Sequence, residues 1–160
     1  MLLYIVRHGK AEINAPTGRD EDRRLKPKGK RQAAFLAEWF AAEGRRPELI
    51  LTSRFERAIA TARVIQEATG APLELARQLE VGYASSAASQ LIAAHAARSP
   101  LVLVGHNPQL ADLVWALTRG LPPKDAGLRT GEGVLLEVDP ANLVGTGREL
   151  ERLRLGGSDD

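Results

Sequence analysis

The first chemically distinctive group in this sequence is Arg7, His8 and Gly9, which directly follows an apolar run over residues 2–6. A run that is apolar on both alternating faces is typical of a strand buried in the middle of a sheet. In open α/β sheets, ligands bind just beyond the carboxyl ends of the strands. Because Gly9 has no Cβ, a ligand can approach the backbone closely there. We therefore expect Arg7 and His8 to border a ligand site.

Two later segments place side chains of the same kinds at comparable positions. A buried strand is predicted to end near Ser53, and Ser53 and Glu56 have the spacing of a capping box, which predicts the start of a helix. Arg57 lies in the first turn of that helix, and helical side chains lean toward the helix N-terminus. His106 follows another apolar run, residues 101–104. We expect both side chains to reach the same crevice as Arg7 and His8.

Two guanidinium groups and two imidazoles in one crevice suit the binding and transfer of phosphate. Arginines match the geometry of oxyanions such as phosphate. A histidine in such a cage can attack phosphorus through a ring nitrogen and form a phosphohistidine, while a second histidine, partly or fully protonated, would stabilise charge on the phosphoryl oxygens. A carboxylic acid is then needed to protonate the leaving group. Glu80, on a predicted loop, is the candidate for that acid. The alternative interpretation is that Glu80 is an ordinary exposed carboxylate of the loop.

Position along the chain does not by itself choose between His8 and His106 as the nucleophile. His8 is favoured because it precedes Gly9, where an anion can come closest to the backbone. His106 precedes Asn107 and Pro108, which are expected to cap and begin the next helix. A charged imidazole there would add to the field of the helix terminus. We predict that His8 becomes phosphorylated during turnover and that His106 does not.

Buried strands alternate with amphipathic helices along most of the chain, which predicts an α/β fold. We expect a three-layer α/β/α sandwich with a mostly parallel central sheet. A single domain should cover residues 1–155, followed by a flexible tail over residues 156–160. Helices are predicted over about 27–43, from the capping box to Thr69, over 86–98 and from Pro108 to near Gly120. A short strand is predicted over residues 72–76, and "GVLLEVDP" and "RELERLRL" predict two final strands.

Composition limits the classes of protein to which the chain can belong. Its 160 residues, 44% hydrophobic and 26% charged, are ordinary for a globular domain. Cysteine is absent, which excludes disulfides, zinc-thiolate sites and a cysteine nucleophile and agrees with a cytoplasmic protein. We expect no signal peptide and no membrane span, because no apolar stretch approaches about 20 residues. The net charge of +2 is too small to indicate nucleic-acid binding.

Residues 19–31 contain seven Lys or Arg and three Asp or Glu residues. The segment can be a solvated loop that runs into a charged helix face, or a basic rim that attracts an anionic substrate. The sequence leaves both interpretations open. The third histidine, His95, is expected at the edge of the core with one hydrogen bond and without a catalytic role.

The motifs "RHG", "TSRFERAIATA" and "GHNP", in this order, resemble the histidine phosphatase superfamily, also called phosphoglycerate-mutase-like. Chain length makes the small bacterial SixA-type phosphohistidine phosphatases the most similar group. By that resemblance His8 is the nucleophile, and neither a metal nor another cofactor is needed. The resemblance also implies that phosphate is bound by Arg7, His8, Arg57 and His106.

One motif departs from the family pattern. Relatives often carry "RPLT-x-x-G" where this chain has "RRLKPKG". Lys26 therefore replaces a threonine, which removes a hydroxyl that could contact phosphate or cap a helix. Arg23 in the same segment remains a candidate for approaching the phosphate.

The predicted function is metal-independent removal of phosphate from a phosphohistidine on a signalling or phosphotransfer protein, because a short chain leaves little sequence for a lid. One alternative is a phosphomonoesterase acting on sugar phosphates or nucleotides, and another is a non-catalytic phosphate-binding module. A mutase and a histidine metal site are disfavoured, the latter because no third ligand has a suitable spacing. The expected partners are a phosphorylated protein or a small phosphate ester, without nucleic acid or membrane. The chain is expected to be a monomer or a weak dimer.

Overall fold

A mixed six-stranded sheet forms the centre of the computed structural model, which describes residues 1–119 and 128–156. Neighbouring strands follow the order β3-β2-β4-β1-β5-β6. The first four of these are parallel to one another, whereas β5 is antiparallel to both β1 and β6. The strands are β1 (Leu2–Arg7), β2 (Leu49–Thr52), β3 (Leu73–Leu75), β4 (Leu101–Gly105), β5 (Gly133–Glu137) and β6 (Arg148–Leu153). The prediction of a mostly parallel sheet is confirmed.

Four helices cover the two faces of this sheet. They are α1 (Pro27–Ala41), α2 (Glu56–Thr69), α3 (Ser85–Ala94) and α4 (Gln109–Thr118). Alternate residues of β1 face opposite layers: Tyr4 packs in a cluster with Phe40 of α1 and Ile65 of α2, and Ile5 packs in a cluster with residues of α3 and α4. The predicted α/β/α sandwich is therefore confirmed. Among the helices of the described ranges, none is both long and apolar enough to cross a membrane.

Strand register brings the ends of three strands to one edge of the sheet. Arg7 at the end of β1 pairs with Gly105 of β4, and Thr52 of β2 pairs with Val104. The residues that follow β1, β2 and β4 therefore emerge side by side. This edge is where the sequence places His8, Ser53 and His106.

Some helix boundaries differ from the prediction. Helix α1 ends two residues early, at Ala41, and α3 ends at Ala94 rather than at residue 98. The end of α3 has a local cause: the His95 N–H bonds to the Ile92 carbonyl, and its ring Nδ1 donates to the Leu91 carbonyl at 2.8 Å. This bond confirms the expected place of His95 at the edge of the core. The predicted end of α4 at Gly120 and residues 157–160 of the tail lie outside the described residues.

The predicted capping box at the start of α2 is wrong. The helix begins at Glu56, its N-cap is Phe55, and no side chain caps it. Ser53 lies outside the helix, and its Oγ accepts a hydrogen bond from the Phe55 N–H at 3.1 Å. The spacing S-x-x-E therefore lies close to the start of the helix, but the serine hydroxyl does not cap it.

Candidate active site

A cavity of about 430 Å³ lies at the carboxyl edge of β1 and β4. His8 and His106 both line it, and their ring centroids are 5.1 Å apart. Both histidines are buried. The structure thus brings together the two imidazoles that the sequence placed 98 positions apart. Five cationic side chains also line this cavity: Arg7, Lys10, Arg23, Lys26 and Arg57.

The His8 ring is held by two contacts that define the state of each nitrogen. Nδ1 lies 2.7 Å from the Gly9 carbonyl, and because a carbonyl only accepts, Nδ1 carries the proton. The Arg57 Nε donates to His8 Nε2 at 3.3 Å, so Nε2 presents its lone pair. Burial, followed by the positive charges of Arg57 and Arg7, lowers the pKa of His8 from 6.5 to about 3. His8 is therefore a neutral imidazole whose Nε2 is an acceptor in contact with Arg57.

Gly9 has a different structural role from the one predicted. A Cβ at this position would lie 2.6 Å from the carbonyl oxygen of Gly29 in α1. The missing side chain therefore allows the loop after β1 to pack against the helix backbone, rather than giving a ligand access. The Gly9 N–H donates to Thr61 Oγ1 at 3.0 Å, which fixes the same loop to α2.

Arg7 reaches from the end of β1 to the cavity. Its Nη1 donates to the Leu128 carbonyl at 3.0 Å, while its Nε is buried without a hydrogen-bond partner in the described part of the chain. Burial and the nearby charge of Arg154 lower the pKa of Arg7 from its ordinary value. A buried N–H donor without an acceptor is costly, and an oxyanion in the cavity would supply that acceptor.

Arg57 reaches back from the first turn of α2, as the sequence predicted, and is 3% exposed. Its Nη1 donates to the Asp20 carbonyl at 2.7 Å, and its Nη2 donates to Asp20 Oδ2 at 3.2 Å. Arg23 holds the same carboxylate through Oδ1 at 2.8 Å. Burial and the charge of Arg23 lower the pKa of Arg57 against the opposing effect of Asp20. Asp20 thus fixes the orientation of Arg57 at the cavity wall.

His106 makes a side-chain hydrogen bond through one of its two ring nitrogens. Its Nε2 lies 2.8 Å from Ser53 Oγ, and its Nδ1 is buried without a partner among the described residues. Burial, then the neighbouring His8 and Arg57, lower the pKa of His106 from 6.5 to about 2. His106 is therefore neutral in the protein without ligand, because positive neighbours disfavour a further charge, and its protonation beside a bound phosphate stays a prediction. A bound phosphate dianion would act in the opposite direction.

Asn107 does not cap α4, contrary to the prediction. The N-cap is Pro108, without a side-chain hydrogen bond. The Asn107 Nδ2 instead donates to the Leu128 carbonyl at 2.7 Å, the same oxygen that accepts from Arg7. Leu128 therefore ties the ends of β1 and β4 together, a contact for which the sequence carries no signal.

Glu80 lies beside the cavity rather than in its wall. It follows a short 3-10 helix (Arg77–Leu79), and its carboxylate is held by Arg54, with Nε to Oε2 at 2.5 Å and Nη2 to Oε1 at 3.3 Å. The next residue, Val81, does line the cavity. The role of Glu80 as the acid remains a prediction, and the ion pair with Arg54 was not foreseen.

The segment that departs from the family motif lies on the cavity. Lys26 is the N-cap of α1 and makes no side-chain capping bond, so the capping hydroxyl that a threonine could supply is replaced by a cation. Arg23 and Lys26 both line the cavity, which favours the basic-rim interpretation of residues 19–31. Asp20 was missed as a site residue, although its place among arginines was a signal that could have been followed.

The balance of charge in the cavity favours an oxyanion. Five cations face one carboxylate, Asp20, and the two histidines are neutral. Guanidinium groups bind tetrahedral oxyanions through paired N–H donors. Within the described ranges, no group of three or more His, Cys, Asp or Glu residues is arranged to hold a metal ion.

Comparison with known proteins agrees with this geometry. The sequence profile of the histidine phosphatase superfamily (branch 1) matches residues 3–80. A SixA protein from Agrobacterium tumefaciens, designated a phosphohistidine phosphatase, is 30% identical with a TM-score of 0.81, over 97% of this chain and 98% of that one. A sequence search of curated proteins finds no match.

More distant structures share the fold. The protein histidine phosphatase SixA in complex with tungstate is 23% identical with a TM-score of 0.84, over 96% of this chain and 97% of that one. A mycobacterial glucosyl-3-phosphoglycerate phosphatase in complex with inorganic phosphate is 20% identical with a TM-score of 0.72, over 94% of this chain and 95% of that one.

These matches and the cavity define the class of protein. The chain belongs to the histidine phosphatase superfamily. It is a phosphatase, with the phosphoglycerate-mutase-like fold that the motifs predicted.

Proposed function

We propose that this phosphatase removes phosphate from a phosphohistidine on a signalling or phosphotransfer protein, through a covalent intermediate on His8 and without a metal ion. The observation that carries the proposal is the state of His8. Its Nδ1–H is held by the Gly9 carbonyl, and its Nε2 is left as an acceptor that Arg57 Nε–H contacts at 3.3 Å beside a cavity lined by five cations. A neutral nucleophile beside fixed positive charge is what phosphoryl transfer requires.

In the first half of the reaction, His8 Nε2 attacks phosphorus. A bond forms between Nε2 and phosphorus while the bond from phosphorus to the leaving group breaks, and the leaving group takes up a proton, for which Glu80 is the proposed donor. The proton on His8 Nδ1 stays in its bond to the Gly9 carbonyl, which stabilises the positive charge that develops on the ring. With an imidazole as the leaving group, proton donation is less demanding than with an alkoxide.

In the second half, water attacks the phosphorus of phosphorylated His8. The bond from phosphorus to Nε2 breaks, His8 returns to its neutral form, and inorganic phosphate leaves. Arg7 contributes its unpartnered Nε–H, and Arg57 contributes its guanidinium, to the phosphoryl oxygens in both halves. These donors supply the positive charge that a metal ion supplies in other phosphatases.

The mouth of the cavity supports a protein substrate. Ile13 and Val81 both line the cavity, and they are 79% and 45% exposed. Large exposed apolar side chains beside a polar site are typical of contact surfaces. Lys10, Arg23 and Lys26 provide charge that would attract an anionic phosphoprotein. The similar protein from A. tumefaciens, designated a phosphohistidine phosphatase, supports the same substrate class.

A second candidate function is hydrolysis of a small phosphate ester such as a sugar phosphate. The similar mycobacterial structure is a glucosyl-3-phosphoglycerate phosphatase, and a cavity of about 430 Å³ is large enough for a small ester. In this case Lys10 and Lys26 would contact polar groups of the ester rather than a protein surface.

Rates on three substrate types separate the two candidates. We expect kcat/KM to be highest on a phosphohistidine-bearing protein, lower on an aryl phosphate and lowest on sugar phosphates. Ile13→Ser should lower kcat/KM several-fold for the phosphoprotein and leave the aryl phosphate unchanged. Val144→Ser, at a 68% exposed residue away from the cavity wall, is the matched control. Highest turnover on a sugar phosphate, with no effect of Ile13→Ser, would establish the second candidate.

A further inference from the structure

Ser53 and His106 form a hydrogen bond at the site to which the proposed reaction assigns no role. Ser53 Oγ and His106 Nε2 are 2.8 Å apart, and the two residues are 0% and 3% exposed. The sequence motif suggested a helix cap for Ser53, yet the hydroxyl makes no capping bond to α2. A buried hydroxyl and a buried ring nitrogen that contact each other have a defined direction of donation, which proton counting can assign.

The Ser53 hydroxyl has one proton to donate. Its oxygen already accepts from the Phe55 N–H at 3.1 Å, and among the described residues His106 Nε2 is the only acceptor within its reach. If His106 Nε2 were the donor instead, the buried serine proton would have no acceptor, which is unfavourable in a buried site. Ser53 O–H therefore donates, His106 Nε2 accepts, and the proton of the neutral His106 ring lies on Nδ1.

The other nitrogen of His106 then becomes a donor at the cavity. Nδ1 is buried and has no partner in the described part of the chain, and His106 lines the cavity. As N–H, this atom can donate to a phosphoryl oxygen. In the opposite tautomer a lone pair would occupy the same place and repel the anion.

The backbone around Ser53 holds the hydroxyl in place. The Ser53 N–H donates to the Val104 carbonyl at 3.0 Å, and the Ser53 carbonyl accepts from Thr52 Oγ1 at 3.0 Å. The Phe55 ring also packs against His106 in a T-shaped arrangement, with ring centroids 5.1 Å apart. Ring and hydroxyl are therefore fixed by separate contacts, and their hydrogen bond does not depend on a bound ligand.

We propose that Ser53 is a positioning residue that keeps His106 in the Nδ1–H tautomer, so that this ring donates to a phosphoryl oxygen and does not act as the nucleophile. The proposal rests on the proposed phosphatase chemistry only for the step at phosphorus. The tautomer itself is a property of the free protein. Ser53 touches no reacting atom, so its effect on the reaction passes through His106.

Nitrogen-15 NMR of the histidine rings tests the tautomer without turnover. In the wild-type protein at neutral pH we expect His106 to show a protonated Nδ1 and an unprotonated Nε2. A His106 that is protonated on Nε2, or on both nitrogens, overturns the proposal. Because this measurement uses no substrate, it is independent of whether the proposed function on phosphohistidine is correct.

Two variants then separate positioning from packing. Ser53→Ala should give a mixture of His106 tautomers and lower kcat/KM on an aryl phosphate about 10-fold, with a parallel loss of affinity for vanadate. Thr118→Val removes a partly buried hydroxyl that bonds to the backbone carbonyl of Val114 in α4, away from the cavity wall. This control should keep the tautomer and leave kcat/KM within about 2-fold. An unchanged tautomer in Ser53→Ala, or equal effects of the two variants, would contradict the proposal.

Discussion

The carboxyl ends of β1 and β4 each present one histidine to the same cavity, yet the two rings have different hydrogen-bond partners. At the end of β1, the Gly9 carbonyl accepts a hydrogen bond from His8 Nδ1–H, and Nε2 is left as an acceptor that Arg57 Nε–H contacts. At the end of β4, a serine hydroxyl occupies His106 Nε2 and leaves Nδ1 unpartnered. The group that bonds one nitrogen of a buried imidazole thus decides whether the other nitrogen is an acceptor or a donor.

The surroundings of the two histidines also determine the charge of each ring. Burial and nearby cations lower the pKa of both rings, to about 3 for His8 and about 2 for His106. A neutral His8 is ready to attack without losing a proton. A neutral His106 retains a single N–H to donate. In the protein without ligand, the positive charge at the cavity therefore lies on side chains such as Arg7 and Arg57 and not on the histidines.

Replacing each histidine in turn should have the largest effect. We expect His8→Ala to lower kcat by at least about 10⁴-fold and to abolish phosphoenzyme formation. His106→Ala should still form some phosphoenzyme, at a much lower rate. Quenching without acid after reaction with labelled substrate should trap an acid-labile, base-stable phosphoenzyme with the label on His8. A label on His106, or full turnover by His8→Ala, would reverse the roles assigned to the two strand ends.

Arg57→Ala should cause the next largest loss of activity. Arg57 donates to His8 and to Asp20 but makes few contacts on which α2 depends, so we expect a loss of 10²-fold or more in rate, on the order found for other lost oxyanion donors, with little change in unfolding midpoint. Arg63→Ala, on the exposed side of the same helix, is the control. An unchanged rate with lowered stability would make Arg57 a structural residue.

Glu80→Gln should discriminate between leaving groups. If Glu80 supplies the proton, its loss should slow alkyl phosphates about 10-fold or more and affect aryl phosphates and phosphohistidine less, because phenolate and imidazole leave more readily. The parallel variant Arg54→Gln breaks the same ion pair but keeps the carboxylate. Equal effects of Glu80→Gln on all three substrates would remove Glu80 as the acid.

The pH dependence of stability should show the lowered histidine pKa values. A histidine with a folded-state pKa near 3 binds fewer protons than the unfolded chain, whose pKa is about 6.5, at every pH between these values. The free energy of unfolding should therefore be highest above about pH 6.5 and fall as the pH is lowered. Urea unfolding between about pH 7.5 and pH 5 measures this slope, and His8→Asn should reduce it. A wild-type slope of zero would contradict the lowered pKa of both rings.

Removal of divalent metal ions should have the smallest effect, namely none. The cations at the cavity are side chains, Arg7 and Arg57 among them, so turnover of an aryl phosphate should be the same with and without EDTA. The measurement is a steady-state rate after dialysis against chelator. Loss of activity that one divalent ion restores would show that the arginines do not replace a metal.

Local sequence patterns determined the strands and helices of this protein and the residues at which they end. The apolar runs before His8 and His106 predicted β1 and β4 because a strand buried on both faces has no polar positions to interrupt it. Alternation with amphipathic helices predicted the layers. Once the fold class was known, the carboxyl-end rule placed Arg7, His8, Arg57 and His106 together, and the structure agrees.

Tertiary structure alone decided what each of those residues does. The hydroxyl that bonds His106 lies 53 positions away in the chain, and the carboxylate that holds Arg57 lies 37 positions away. Local spacing assigned Ser53 to a helix cap and Asn107 to another, and both were wrong because each side chain found a partner across the fold. A hydrogen bond depends on distance and direction in three dimensions. Sequence spacing therefore identified the imidazoles, and only the packed strand ends determined which of their nitrogens carries a proton.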